Sequence, residues 1–209
     1  TTEIYTLSLH DALPIFAKEL FASLGRLLPL VAASDGGGAP LEIPAALALA
    51  ARAVECRRGK GKLVFVGNGA SAAISSHMST DYWKNGGIRS MAFNDPSLLT
   101  CMVNDYGRPL MFAKPVEMFC DPQDMLVAIS SSGQSENILN AAAAARSLGV
   151  TVMTLSGFQP DNPLRRLGDI NFYVPCSSYG PVEVLHHAIC HCILDTLLEH
   201  RRRGETCNG

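Results

Sequence analysis

The sequence predicts an α/β fold: a three-layer, doubly wound parallel sheet with a helical extension at its N-terminus. Three observations carry that prediction. Lys62-Leu63-Val64-Phe65-Val66, Met125-Leu126-Val127-Ala128-Ile129 and residues 150–155 are continuous apolar runs, the pattern of strands buried on both faces. The first two runs pass through loops rich in Gly, Ser and Asn into stretches of helical spacing, so strands and helices alternate along the chain. Finally, 47% of the 209 residues are hydrophobic and only 17% charged, enough for one full core with apolar surface left over for subunit contacts.

Residues 16–33 carry apolar side chains at helical spacing, and Ser34-Asp35-Gly36-Gly37-Gly38 breaks that pattern. Residues 41–57 form a second, Ala-rich helix, so residues 16–58 are expected to be a helical hairpin. A strand follows at 62–66, a helix over 71–84, a strand at 88–93 and a helix over 96–103, closed by the turn Asn104-Asp105-Tyr106-Gly107. After the strand at 125–129 comes a helix over 136–148 containing five consecutive alanines. Strands at 150–155 and 170–174 and a final helix over 182–200 complete one α/β domain spanning 59–200. Residues 201–209 read as a polar tail in which Arg201-Arg202-Arg203 is a solvated charge run. Residues 1–15 stand apart. They lack the basic, long-apolar and cleavage regions of a targeting segment, and Tyr5 to Ile15 resembles the translation of a sequencing adapter, so they are expected to be foreign to the fold.

Composition excludes several classes. No apolar run reaches the roughly 18 residues of a membrane span. A formal net charge of −2 and the lack of a basic stripe give no footprint for nucleic acid. The seven cysteines, several of them inside apolar segments, suit reduced thiols in a cytoplasm better than a disulfide framework. Cys190-His191-Cys192 does not form a metal motif on a helix, because residues two apart point about 200° away from each other.

The two strand–loop–helix units carry the chemistry. Gly67-Asn68-Gly69-Ala70-Ser71 and Ser130-Ser131-Ser132-Gly133-Gln134-Ser135 each lead into a helix N-terminus, where backbone N–H groups, hydroxyls and the helix dipole favour an anion. Neither loop matches GxxxxGK[ST] or GxGxxG, so a nucleotide cofactor is not expected. Elsewhere, His77 and Asp81 share one helix face at i, i+4, and Glu183, His187 and His191 share another at i, i+4, i+8. His186 and His187 read more simply as packed or surface histidines.

VGNGASAAISSH (66–77), NDPSLLTCMVNDYG (94–107) and AISSSGQSENIL (128–139) resemble the signature segments of SIS (sugar isomerase) domains, and more narrowly those of phosphoheptose isomerases. The resemblance spans residues 63–194. It implies a flavodoxin-like SIS domain, a sugar-phosphate substrate and a homotetramer. It also implies that Ser130, Ser131, Ser132 and Ser135 hold the phosphate, with Asn68, Gly69, Ser71, Asp105 and Glu183 as further substrate contacts. In the family a His and a Glu in HxxxE spacing meet a Gln and a His eight residues apart on the last helix. The matching positions are His77, Asp81, Glu183 and His191, so this chain has Asp for Glu and Glu for Gln. Two histidines and two carboxylates suit Zn²⁺ or another divalent metal. Asp81 and His191 are the expected proton-transfer pair for sedoheptulose 7-phosphate and D-glycero-D-manno-heptose 7-phosphate. The competing expectations are an isomerase of another sugar phosphate, or an SIS-type adaptor that binds a phosphosugar or a replication initiator without catalysis.

Overall fold

The computed structural model describes residues 9–204. Its centre is a seven-stranded sheet in the order β2-β1-β7-β6-β5-β3-β4. The strands are β1 (Ala32–Asp35), β2 (Pro40–Leu41), β3 (Leu63–Gly67), β4 (Ser90–Ala92), β5 (Met125–Ser130), β6 (Thr151–Gly157) and β7 (Ile170–Val174). The five strands from β3 to β7 are parallel, and they form the expected doubly wound sheet. Alternate residues of β3 feed the two faces. Leu63 and Phe65 join the core under α2 (Ile43–Glu55), α3 (Ala70–Lys84) and α7 (Tyr179–Arg202), while Val64 and Val66 pack with Phe112, Val116, Ile138 and Ala141 on the opposite face. That second face is covered by α5 (Ala113–Phe119) and α6 (Glu136–Ser147), with α4 (Pro96–Tyr106) at its margin.

The N-terminal region departs from a simple helical hairpin. The first helix, α1, spans Leu9–Leu27, and the chain then enters the sheet. β1 pairs antiparallel with β7, Ala33 opposite Phe172, and turns back into β2. Asp35 closes that turn, its Oδ1 accepting from the Gly37 and Ala39 amides at 2.9 Å each. Local spacing carried the helical expectation too far because Ala32 and Ala33 have no strong preference of their own; the unpaired edge of β7 decides their state. Of residues 1–15, the first eight lie outside the described residues, and the remainder begins α1, where Leu13 and Ile15 are exposed.

The C-terminal charge run divides: Arg202 and Arg203 are exposed as expected, but Arg201 is drawn inward. α7 continues to Arg202, and the half-buried Arg201 guanidinium pairs with Glu55 of α2 and donates to the Gly86 carbonyl at 2.6 Å. Arg202 and Arg203 pair with Glu199. At the end of α4 the helix runs through Asn104 and Asp105, which the sequence suggested as turn, and stops at Gly107 with φ +77°. Among the described residues no helix is long and apolar enough to cross a membrane.

One glycine is fixed by packing. A Cβ on Gly67, the last residue of β3, would lie 2.6 Å from the backbone of Ser71. Gly67→Ala is therefore expected to lower stability by about 1–3 kcal/mol, the usual cost of overpacking. A shift of the urea midpoint to lower denaturant checks it; an unshifted midpoint contradicts the close approach.

Candidate active site

The order of the parallel strands reverses at β3: β4 lies on one side of it and β5, β6 and β7 on the other. At such a switch point the loops leaving adjacent strands diverge to opposite faces and leave a crevice at the carboxyl ends. Gly67 pairs in register with Ile129, so the loops after β3 and β5 start side by side. A cleft of about 280 Å³ opens there, lined by Asn68, Gly69, Ser71, Ser130, Ser131, Ser132, Ser135 and Glu183, together with Arg108 and Tyr179.

Hydrogen bonds within the loops hold this cleft in shape. Asn68 and Asn137 exchange two side-chain amide bonds of 3.0 and 2.9 Å, tying the first loop to the first turn of α6. The Ser130 hydroxyl donates to the Ser135 hydroxyl at 3.3 Å, and the Gln134 amide donates to Ser132 Oγ at 3.2 Å. Gly133 takes φ +65°, and a Cβ there would meet Asn162 Oδ1 at 2.1 Å. Asn162 is itself fixed by donating to Gly157 O at 3.1 Å and Gln159 O at 2.8 Å. Ser130 and Ser131 are buried, while Ser132 and Ser135 are only half-buried and face the opening. Four serines and the N-terminus of α6 thus border one side of the cleft, an arrangement of donors that favours an anion.

A second group of side chains lies between α3 and α7. His77 Nε2 is 3.3 Å from Asp81 Oδ2, and His191 Nδ1 is 4.0 Å from the same oxygen. The His187 ring meets that of His77 edge-on at 5.0 Å and that of His191 at 4.8 Å. His77, His187 and His191 each offer a ring nitrogen, all within 4.8 Å of one another. His187 Nε2 is buried without a hydrogen-bond partner. Burial, and then the neighbouring rings of His191 and His77, holds the His187 pKa below its usual value, so this ring is kept neutral with a free lone pair. These donors fit a divalent transition metal.

The two helices are fixed against each other by Tyr82, whose hydroxyl donates to the Cys190 carbonyl at 3.0 Å. The Cys190 thiol is buried, which pushes its pKa up to about 12, while Cys192 points to solvent; the two thiols diverge as helical geometry requires.

The expected site residues thus fall into two groups within one chain. Asn68, Gly69, Ser71, Ser130, Ser131, Ser132, Ser135 and Glu183 line the cleft. His77, Asp81 and His191 converge between the helices. Glu183, grouped with the metal set on sequence grounds, lines the cleft instead, and the converging nitrogens come from His77, His187 and His191. His187, read from sequence as packed or surface, belongs to that cluster. Asp105 is exposed at the end of α4, held by Asn104 Nδ2 at 2.8 Å, and is not among the cleft-lining residues; Arg108, three residues on, is. The sequence left Arg108, Asn137 and Tyr179 unremarked. Only the i, i+4, i+8 ladder on α7 pointed toward His187.

The SIS domain family model matches residues 41–157. Those residues include β3, both cleft loops and β5. The chain belongs to the SIS-domain family, among its phosphoheptose isomerases. It is 34% identical to a phosphoheptose isomerase of Aliarcobacter butzleri over 71% of this chain and 82% of that one. A phosphoheptose isomerase of Roseiflexus is 32% identical over 76% of this chain and 85% of that one. The solved phosphoheptose isomerase GmhA of Neisseria gonorrhoeae superposes with a TM-score of 0.76 and 26% identity, covering 88% of this chain and 99% of its own. The fold class and the family resemblance read from the sequence are both met.

His186, beside the cluster in sequence, has a different environment. It is fully buried, its Nε2 donates to the Ser156 carbonyl at 3.0 Å, and burial pushes its pKa down to about 4. The folded state keeps this ring neutral while the unfolded chain takes up a proton near pH 6.5. Stability from this residue is thus complete above about pH 6.5 and falls as pH drops toward 4, by up to about 1.4 kcal/mol per pH unit. Urea midpoints of wild type and His186→Gln measured across that window should converge as pH falls; parallel curves contradict a buried neutral His186.

Proposed function

We propose that this chain interconverts sedoheptulose 7-phosphate and D-glycero-D-manno-heptose 7-phosphate, holding the phosphate in the serine-lined cleft and moving the proton with Asp81 and His191. The observation that carries the proposal is the convergence of His77, Asp81 and His191 from two helices, beside a cleft of hydroxyls at the switch point. In a 7-phosphate the phosphate and the reacting carbons sit at opposite ends of the sugar, which suits two adjoining groups of residues. The face of α7 that bears Glu183 at the cleft and His191 at the cluster spans about 12 Å.

Ser130, Ser131, Ser132 and Ser135 donate to the phosphate oxygens, with Arg108 as the cation of the cleft. Glu183, an anion on the same wall, repels phosphate and instead accepts from sugar hydroxyls; Asn68 and Ser71 contact the chain between the two ends. The reaction moves one proton between C1 and C2 through an enediol. Asp81 takes it from the carbon next to the carbonyl and returns it to the neighbouring carbon. His191 passes the matching proton between the two oxygens, and His77 holds the Asp81 carboxylate in place. His77 and His191, with the Asp81 carboxylate beside them, would hold a divalent metal, which would supply Lewis-acid stabilisation of the substrate oxygens. A nitrogen whose lone pair is committed to a metal has none for a proton, so proton transfer by His191 belongs to the metal-free state. Binding energy from the phosphate end fixes the reacting carbons against Asp81.

The exposed apolar residues of α1, among them Phe16, Leu20 and Phe21, support assembly with further copies, a homotetramer by the family resemblance. The six free cysteines among the described residues support a reducing, cytoplasmic setting. Light scattering that gives a stable, fully active monomer rejects the assembly.

Turnover of purified variants on the heptose phosphates tests the mechanism. Asp81→Asn is expected to cost about 10²–10⁴ in kcat, whereas Asp81→Glu keeps or raises it, since only a carboxylate takes the proton. His191→Ala should lower kcat far more than it raises KM. Undiminished kcat in Asp81→Asn removes the carboxylate from its role as base. Ser132→Ala is expected to weaken sugar-phosphate binding by about 1–3 kcal/mol, because a charged oxygen loses its donor. Equal affinities by calorimetry move the phosphate elsewhere.

A further inference from the structure

The Asp81 and Glu183 substitutions remove the two neutral or long-reaching partners of the family pattern, yet one nitrogen-rich cluster remains. We infer that His187 completes a three-histidine site with His77 and His191 that takes a divalent transition metal of the Zn²⁺ class, while Glu183 serves the sugar. The inference rests on the isomerase reading only for Glu183; the metal site stands on its own geometry.

Three observations carry it. The ring nitrogens of His77, His187 and His191 lie within 4.8 Å of one another. Around a tetrahedral Zn²⁺, with Zn–N near 2.1 Å, donor nitrogens sit about 3.4 Å apart, so small side-chain rotations bring these three onto one ion. The His77 ring faces both of the others, 5.0 Å from His187 and 5.5 Å from His191, which makes the set a triangle rather than a row. Second, His187 Nε2 is a buried polar atom with no partner. A buried unpaired nitrogen costs stability unless something occupies it, and a metal ion is the occupant its two histidine neighbours favour. Third, Glu183 stands one helical turn before His187 on the same face of α7 but lines the serine cleft, outside the group formed by the three histidines.

The donor set sets the metal. Three imidazoles with a carboxylate close by suit Zn²⁺, and Co²⁺ as its spectroscopic substitute, ahead of Mg²⁺ or Mn²⁺, which prefer oxygen. Asp81 Oδ2 lies 3.3 Å from His77 Nε2 and 4.0 Å from His191 Nδ1, at the border of the triangle, where it remains available as the base.

The test is metal binding by the full chain stripped with chelator, independent of turnover. Zn²⁺ affinity is read by competition with a chromophoric chelator, and coordination by the visible absorption of the Co²⁺ form. Wild type should bind Zn²⁺ well ahead of Mg²⁺. His187→Ala should weaken Zn²⁺ by at least about tenfold and change the Co²⁺ spectrum, since a direct ligand matters at least as much as its supporting shell. Glu183→Gln should leave both unchanged. Thermal unfolding of each stripped variant checks folding, and His187→Gln replaces His187→Ala if the latter is unstable. Wild-type affinity and spectrum in the His187 variants overturn the inference, as does a wild-type chain that binds no Zn²⁺, or a loss in Glu183→Gln equal to that in the His187 variant. An isomerase assay on the same samples separates the two questions: a chain that binds Zn²⁺ through His187 but turns over no heptose phosphate keeps the metal site and loses the isomerase reading.

Discussion

The backbone of β3 ends against the backbone of α3, with Gly67 so close to Ser71 that no side chain fits between them. From that contact α3 departs at a fixed angle, with Ser71 buried beside the sheet and His77 and Asp81 carried about two and three turns further on. The same contact sets where the first loop lies. Asn68 meets Asn137 across the switch point, and their paired amides fasten that loop to α6. A displacement of α3 would therefore move the anion cleft and the histidine cluster together. The two loops leave parallel strands in register and then bond to each other, which fixes the spacing across the cleft.

Polar groups of different kinds are segregated along α7 and the loops it faces. The cleft presents hydroxyls, helix N-termini and Arg108 to an anion, with Glu183 set on the wall that α7 provides. Glu183 is thus a carboxylate on the wall of a cleft otherwise lined by hydroxyls, amides and the Arg108 guanidinium. On the next turns of α7 the chemistry changes from oxygen to nitrogen. His187 is kept neutral by burial and by its neighbours, and His191 turns toward Asp81. A single helix thereby lines the cleft and bears two of the three clustered histidines, and its own position is fixed by Tyr82, by the buried Cys190 and by the Arg201 link to Glu55.

Two departures from simple sequence patterns show what local spacing leaves undecided. Residues 32–35 and 40–41 extend the sheet although the residues before them are helical, because the outer edge of β7 offers unpaired backbone groups. The Arg201-Arg202-Arg203 run is continuous with α7, and its first member is drawn inward by a carboxylate on α2. In both cases the partner lies more than a hundred residues away, beyond the reach of any window read along the chain.

The sequence by itself determined the class of the fold, since apolar runs of about five residues, too short for helices and bounded by Gly- and Ser-rich loops, read as strands covered on both sides, and their alternation with helices points to a parallel sheet. It also placed the two loops that line the cleft, because Gly67, Gly133 and the serines around them are local features of the strand–loop–helix units. His77 with Asp81, and His187 with His191, were legible as faces of two helices, for helical periodicity is a local property. Which faces meet was not. The crossing of α3 and α7 is set by side chains buried against β3 and by Tyr82 reaching Cys190, and only that crossing assigns His187 to the cluster and Glu183 to the cleft. Arg108 enters the cleft for the same reason: its place depends on where α4 ends relative to the serine loop, a distance that three-dimensional packing alone decides.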